Sequence, residues 1–135
     1  MSDDPAGTGI GGLNEVLGIE LLEPGDADGR ARAEVAERIL QPYGLVHAGL
    51  YSAIAETIAS AMTSAAVSER GEVAMGQSNT ANFLRPITAG TVHASGRVIH
   101  RGRTSWVWDV ECADDEGRVA AVVRVVIAVR PRPGG

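Results

Sequence analysis

Residues 41–56 read QPYGLVHAGLYSAIAE, and the glutamate closing this stretch decides how the chain is read. From about Ala48 to Ala66 the sequence is almost wholly Ala, Leu, Ile, Ser and Thr. Leu50, Ala53, Ile54, Thr57, Ile58, Ala61 and Ala65 recur at the three-, four- and seven-residue spacing of a helix lying on a sheet. Glu56 is the only charge on that helix, where average usage would put roughly five in a helix this long. On a helical wheel it lies opposite the apolar stripe, flanked by Ser52, Ala59, Ser60 and Thr63, with Ser60 one turn above it.

Most lone helix glutamates are simply solvated. This outer face, however, lacks the Lys, Arg and Glu that coat an exposed surface. A helix that is small or apolar all round is covered on both sides. One sheet covers one side, so a second surface, most simply another copy of the chain, is expected over the other. A carboxylate kept at such an interface, where burial disfavours charge, points to function.

The residues before the helix add to this. His47 stands beside the helix N-terminus, with Ala48 and Gly49 in the first turn. First-turn N–H groups have no intrahelical partner and carry the positive end of the helix dipole, so they are able to polarise a carbonyl and hold an oxyanion. Gly49 has no side chain to obstruct a ligand. Glu56 follows two turns on, and a substrate spanning the gap is expected to meet both groups. Taken alone, His47 is a cap or a packed histidine more often than a catalyst.

Around the helix the chain reads as strands. Residues 18–37 form a hairpin broken at Pro24-Gly25-Asp26, with Ala31, Ala33 and Val35 on one side of RARAEVAE. Val73 to Arg85, Thr91 to His100, Thr104 to Cys112 and Arg118 to Val129 are four further strands in hairpin succession, bounded by turn residues. The last, rich in Val, is expected to be central and covered on both faces or nearly so. The result is an α+β fold, an antiparallel sheet wrapped around one long helix. Residues 13–130 form its single domain, between a disordered tail at 1–12 and a frayed one at 131–135; Asn14 to Leu17 make a short helical turn.

Composition narrows the function. A net charge of −5 argues against a nucleic-acid binder. All 12 basic residues are Arg, which suits phosphate recognition. The lone Cys112 excludes an internal disulfide and reads as a half-buried structural thiol, and three scattered histidines give no metal-ligand spacing. The acidic, Gly-rich start has no signal-peptide character and no apolar run is long enough to span a membrane, so a cytoplasmic protein is expected.

At Gln41, Pro42, Gly44, His47, Ala48, Gly49 and Glu56 the chain resembles the hotdog-fold thioesterases. It is most similar to the PaaI-like and 4-hydroxybenzoyl-CoA thioesterase branch with a helix glutamate. The likeness continues through NFLRPITAG, IHRGRTS and DDEGR, over roughly Leu13 to Val129. It implies that Glu56 is the catalytic carboxylate, attacking the thioester or activating water, and that the Ala48 N–H is the oxyanion donor. Gln41 would contact the thioester or position water, Ser60 would lie near that water, and His47 would be structural or would orient substrate. Ala48 stands where the family usually has Gly, which narrows the approach without removing the donor. The resemblance also implies hydrolysis of an aryl- or medium-chain acyl-CoA to free acid and CoA, no cofactor, and a homo-oligomer, a dimer or dimer of dimers, combining the helix of one subunit with strands of its neighbour. Arg85, Arg101, Arg103 and Thr104 are candidates for the CoA phosphates, or else solvated turns. Tyr43 and Tyr51 either line an acyl pocket or simply pack. A non-catalytic acyl-CoA-binding module is the alternative, and a 3-hydroxyacyl thioester dehydratase using His47 with Glu56 a third reading.

Overall fold

The helix expected from Ala48 forms as α2, Ala48–Val67. The computed structural model describes residues 11–134, so residues 1–10 of the tail expected over 1–12 and the final residue lie outside it, while Gly12 opens a helix. Before α2 come α1 (Gly12–Leu17), β1 (Ile19–Leu22), β2 (Gly29–Glu34) and a single 3-10 turn at Glu37–Ile39; after it come β3 (Glu72–Phe83), β4 (Thr91–Arg101), β5 (Ser105–Ala113) and β6 (Val119–Pro131). The strands form one six-stranded antiparallel sheet in the order β1-β2-β4-β5-β6-β3. It curls around α2, which is the hotdog arrangement.

Of the four strands after α2, only β4, β5 and β6 succeed one another as hairpins. β3 does not pair with β4; it lies at the far edge beside β6. The expectation of four strands in hairpin succession is corrected here. Residues 84–90 carry the chain across the end of the sheet, held where the Leu84 N–H donates to the Ala120 carbonyl and the Val46 N–H to that of Ile87. The Ile87 side chain is buried, giving that crossing an apolar anchor.

β6 is interior, yet only one of its faces is fully buried: Ala121, Val123, Val125, Ile127 and Val129 face α2, while Arg124 on the outer face is exposed. Within one chain the expected cover on both faces is absent from the described residues. Cys112 lies on the same inward face, across from Ala121, and is fully buried rather than half-buried. The curl also buries more of α2 than a flat sheet would. Ala59 and Thr63, expected beside Glu56, are in the core, and Thr63 accepts the indole N–H of Trp108 at 2.9 Å. Ala65 is exposed.

Close packing of α2 rests on a pair of glycines. Gly29 and Gly96 are register partners on β2 and β4. A Cβ on Gly29 would fall 2.6 Å from Ile58 Cγ2 and 2.9 Å from Met62 Cγ, and one on Gly96 3.0 Å from Ile58 Cγ2. Overpacking of this kind costs about 1–3 kcal/mol. Gly29→Ala should therefore lower the urea midpoint with an unchanged m-value; a midpoint equal to wild type would show slack between helix and sheet.

Candidate active site

The sheet leaves one stripe of α2 open: Ser52, Ala53, Glu56, Ser60 and Ser64. This stripe floors a cleft of about 900 Å³ with two walls, the edge strand β3 from Ala74 to Asn79 and the segment Gly11–Asn14 at α1. Both walls are set by local features. The pairing of β3 with β6 shifts at Gln77, a bulge, so Gly76 opposite Ile127 and Asn79 opposite Val125 both face the helix. Asn79 Nδ2 donates to the Ser52 carbonyl at 3.0 Å, fixing α2 against the edge strand. On the other side the Thr57 hydroxyl and the Asn14 amide are hydrogen-bonded at 2.9 Å.

Glu56 stands in the middle of this cleft. Ser60 Oγ donates to its Oε2 at 2.7 Å, as one-turn spacing on a helix permits. The carboxylate stem lies over Gly76, where even a methyl group would touch Glu56 Cγ at 3.5 Å. In the single chain Glu56 is exposed.

The helix N-terminus is built by His47, whose backbone is extended and whose Nδ1 accepts the Gly49 N–H at 2.8 Å. That bond places the proton of a neutral ring on Nε2. It also explains Gly49, since a Cβ there would approach Nδ1 to 2.9 Å. The Leu50 N–H goes to the His47 carbonyl. The Ala48 N–H has no partner among the described residues, which leaves it as the free donor of the first turn.

Glu56 and the Ala48 N–H do not, however, meet within one chain. Eight residues of helix separate them by about 12 Å of rise, whereas one reacting carbonyl must lie roughly 3 Å from both base and oxyanion donor. Within one chain, only a substrate that spans this gap reaches both groups.

The remaining candidates divide. Gln41 holds its own loop: Oε1 accepts the backbone N–H groups of Tyr43 and Leu45. Tyr43 is 89% exposed. Arg101 lies over the Trp106 ring, 4.7 Å from its centre, and Arg103 is exposed in the adjoining turn. The Thr104 carbonyl accepts from Arg130 Nη1 at 2.6 Å and from the Val129 N–H at 2.9 Å. Arg130, absent from the expected set, thus joins Arg101, Arg103 and Thr104 at one end of the sheet. Arg85 follows β3 at the opposite end, where its N–H donates to the Ala120 carbonyl, ten residues along β6 from Arg130 and so about 33 Å away by strand rise. Asn14 and Asn79 were also missed. Neither carries a sequence motif, and only the strand register and the docking of α1 bring them to α2.

Residues 43–121 match the sequence profile of the thioesterase superfamily. A protein of Mycobacterium tuberculosis, provisionally named an esterase, is 37% identical over 107 residues, spanning 78% of this chain and 76% of its own. The 1,4-dihydroxy-2-naphthoyl-CoA hydrolase of Listeria monocytogenes is 31% identical over 121 residues, 90% of this chain and 98% of its own. A crystal structure of a mutant thioesterase from Pseudomonas aeruginosa superposes with a TM-score of 0.84 at 33% identity, covering 88% of this chain and 86% of that one.

Tyr51 packs in the core and does not line this cleft. It is 3% exposed, its ring centre lies 6.0 Å from that of Phe83, and its hydroxyl has no hydrogen-bond partner among the described residues. Burial, and then the neighbouring Cys112 thiol, push its pKa up to about 12; burial alone pushes Cys112 up to about 12. Both groups keep their protons in the fold at pH values where the unfolded chain has lost them, so stability falls as pH rises from about 9 towards 12. Tyr51→Phe removes an unsatisfied buried hydroxyl, which is neutral to stabilising by about 1 kcal/mol, and should flatten this alkaline loss in urea titrations across that range. An unchanged slope would show that Tyr51 titrates as it does in the unfolded chain.

Proposed function

Because the chain belongs to the thioesterase superfamily and is a thioester hydrolase, we propose that it cleaves acyl-CoA thioesters with Glu56 as the catalytic carboxylate and the Ala48 N–H as the oxyanion donor. One observation carries this reading: a single carboxylate, held by Ser60 at 2.7 Å, on the floor of the cleft. Glu56 either takes a proton from water as the resulting hydroxide adds to the thioester carbon, or adds directly to give an anhydride that water then cleaves. In both, the C–S bond breaks and CoA leaves as a thiolate that regains a proton. The Ala48 N–H, at the positive end of α2, stabilises the oxyanion formed meanwhile. Pseudomonas aeruginosa and Staphylococcus aureus relatives have been solved as a Gln→Ala and a Glu→Ala variant respectively, the residue types assigned here to Gln41 and Glu56.

The 12 Å rise between Ala48 and Glu56 favours a homo-oligomer in which each supplies its own half of a site. β3 is a twelve-residue edge strand, largely exposed, and an exposed edge of that length is a template for pairing. Two copies joined along β3 would set two α2 helices antiparallel, with the N-terminus of each towards Glu56 of the other. Arg101, Arg103 and Arg130 suit the phosphates of CoA. For the acyl group, the serines at 52, 60, 64 and 78 lining the cleft favour an aromatic ring bearing polar groups over a saturated chain. The name of the Listeria relative lies in the same direction.

Thiol release from benzoyl-, 4-hydroxybenzoyl-, phenylacetyl- and straight-chain acyl-CoA should vanish in Glu56→Ala, while Glu56→Gln still binds a non-hydrolysable analogue. Ala48→Pro removes the N–H at the first helical position, where proline is tolerated and the extended His47 suits it; it should cost about 10²–10³ in kcat. Mixing dissociated Glu56→Gln and Ala48→Pro chains should restore turnover, since one site of each mixed dimer is then intact. Inactivity of that mixture would place both groups in one subunit, and hydrolysis by Glu56→Ala would overturn the carboxylate's role.

A further inference from the structure

Resting on that reading, we propose that α1 is the selecting wall of the acyl cleft, with Leu13 contacting the acyl group and Asn14 fixing the position from which it does so. Leu13 is the one large aliphatic side chain lining the cleft among the described residues; its companions are Gly, Ala, Ser, Thr and polar residues. It is 64% exposed, unlike Leu17 of the same helix, which packs against the core. A large apolar side chain held at the rim of a cleft otherwise lined by small and polar residues gives an acyl group its apolar contact there.

The placement of Leu13 is built rather than incidental. α1 has six residues, too few to be stable as an isolated helix, so its position follows from docking. Leu17 anchors one end in the core. At the other, the Asn14 amide meets the Thr57 hydroxyl at 2.9 Å, and that hydroxyl also lies 2.8 Å from the Ala53 carbonyl. A hydroxyl has one proton, so if Thr57 donates to Ala53 the Asn14 amide turns to donate to Thr57; the link survives either way. Thr57 follows Glu56 directly in the chain. The bond that sets α1 therefore ties Leu13 to the helix turn that carries the carboxylate, and any shift of α1 changes the space beside it.

The test compares kcat/KM for acetyl-CoA, whose acyl group offers the least apolar surface, with benzoyl-CoA and 1-naphthoyl-CoA. Leu13→Ala should lower the aryl-to-acetyl ratio about tenfold, the usual scale for losing apolar contact in a pocket, through KM more than kcat. Asn14→Ala should lower it in the same direction and speed amide exchange over residues 12–17. In Glu56→Gln, benzoyl-CoA should protect those amides and free CoA should not. An unchanged ratio in Leu13→Ala with wild-type turnover intact would overturn the role of α1 and leave the catalytic reading standing. Full turnover in Glu56→Gln would strike the catalytic reading, while protection of α1 by benzoyl-CoA alone would still support acyl contact. Equal protection by free CoA and benzoyl-CoA would overturn the proposal whatever the kinetics.

Discussion

The sheet is able to wrap α2 only because small residues line their contact on both sides. Gly29 and Gly96 leave room for Ile58 and Trp108, and Ala55, Ala59 and Thr63 of the helix are fully buried. Larger residues at those positions would lift the helix off the sheet and open voids that a close-packed interior does not tolerate. Such close wrapping has a geometric consequence. A curled sheet with two free edges cannot enclose a helix completely, and the stripe it leaves open lies beside the edge strand. Glu56 is on that stripe. The carboxylate is thereby kept out of the core, where an unpaired charge is costly, and its partner, Ser60, comes from its own helix.

Much of this was legible in the sequence because periodicity and turn chemistry are local. The α2 boundaries and the β4–β5–β6 meander fall within a residue or two of their expected places, and the β1–β2 hairpin forms, although β2 ends at Glu34, three residues before the expected Glu37. The lone charge on an otherwise small helix singled out Glu56, and one-turn spacing singled out Ser60. What the sequence hid is non-local. A helical wheel assumes one flat supporting surface, so it placed Ala59 and Thr63 beside Glu56 when curvature puts them in the core. Strand alternation gives no partner, so it could not show that β3 pairs with β6 or that Thr104 meets Arg130. Asn14 and Asn79 are ordinary polar residues until α1 docks and the Gln77 bulge re-aims the strand.

The same bulge ties the fold to the chemistry. Without the extra residue, alternation would send either Gly76 or Asn79 to the outer face. With the bulge both face inward, Gly76 against the stem of Glu56 and Asn79 as a hydrogen-bond donor to Ser52. His47 plays a comparable part at the helix end. By taking the Gly49 N–H it caps α2 and leaves one first-turn donor, that of Ala48, without a partner among the described residues. A helix terminus with every N–H satisfied would hold an oxyanion less well, and one with none satisfied would fray.

These features lead to a statement about assembly that does not depend on packing area. Rise along a helix is fixed, so a carbonyl held by the Ala48 N–H lies about 12 Å along the axis from the Glu56 backbone of the same chain. If both act on the same thioester, the missing half must come from a second copy, and oligomerisation then becomes a condition of chemistry as well as of stability. The strand offering an unpaired edge, β3, is also the wall on which Glu56 lies. Pairing at that edge would cover the open stripe, satisfy the free backbone groups of β3 and complete the site in one step. Each of these needs is visible in the single chain, and one symmetric contact would meet all of them.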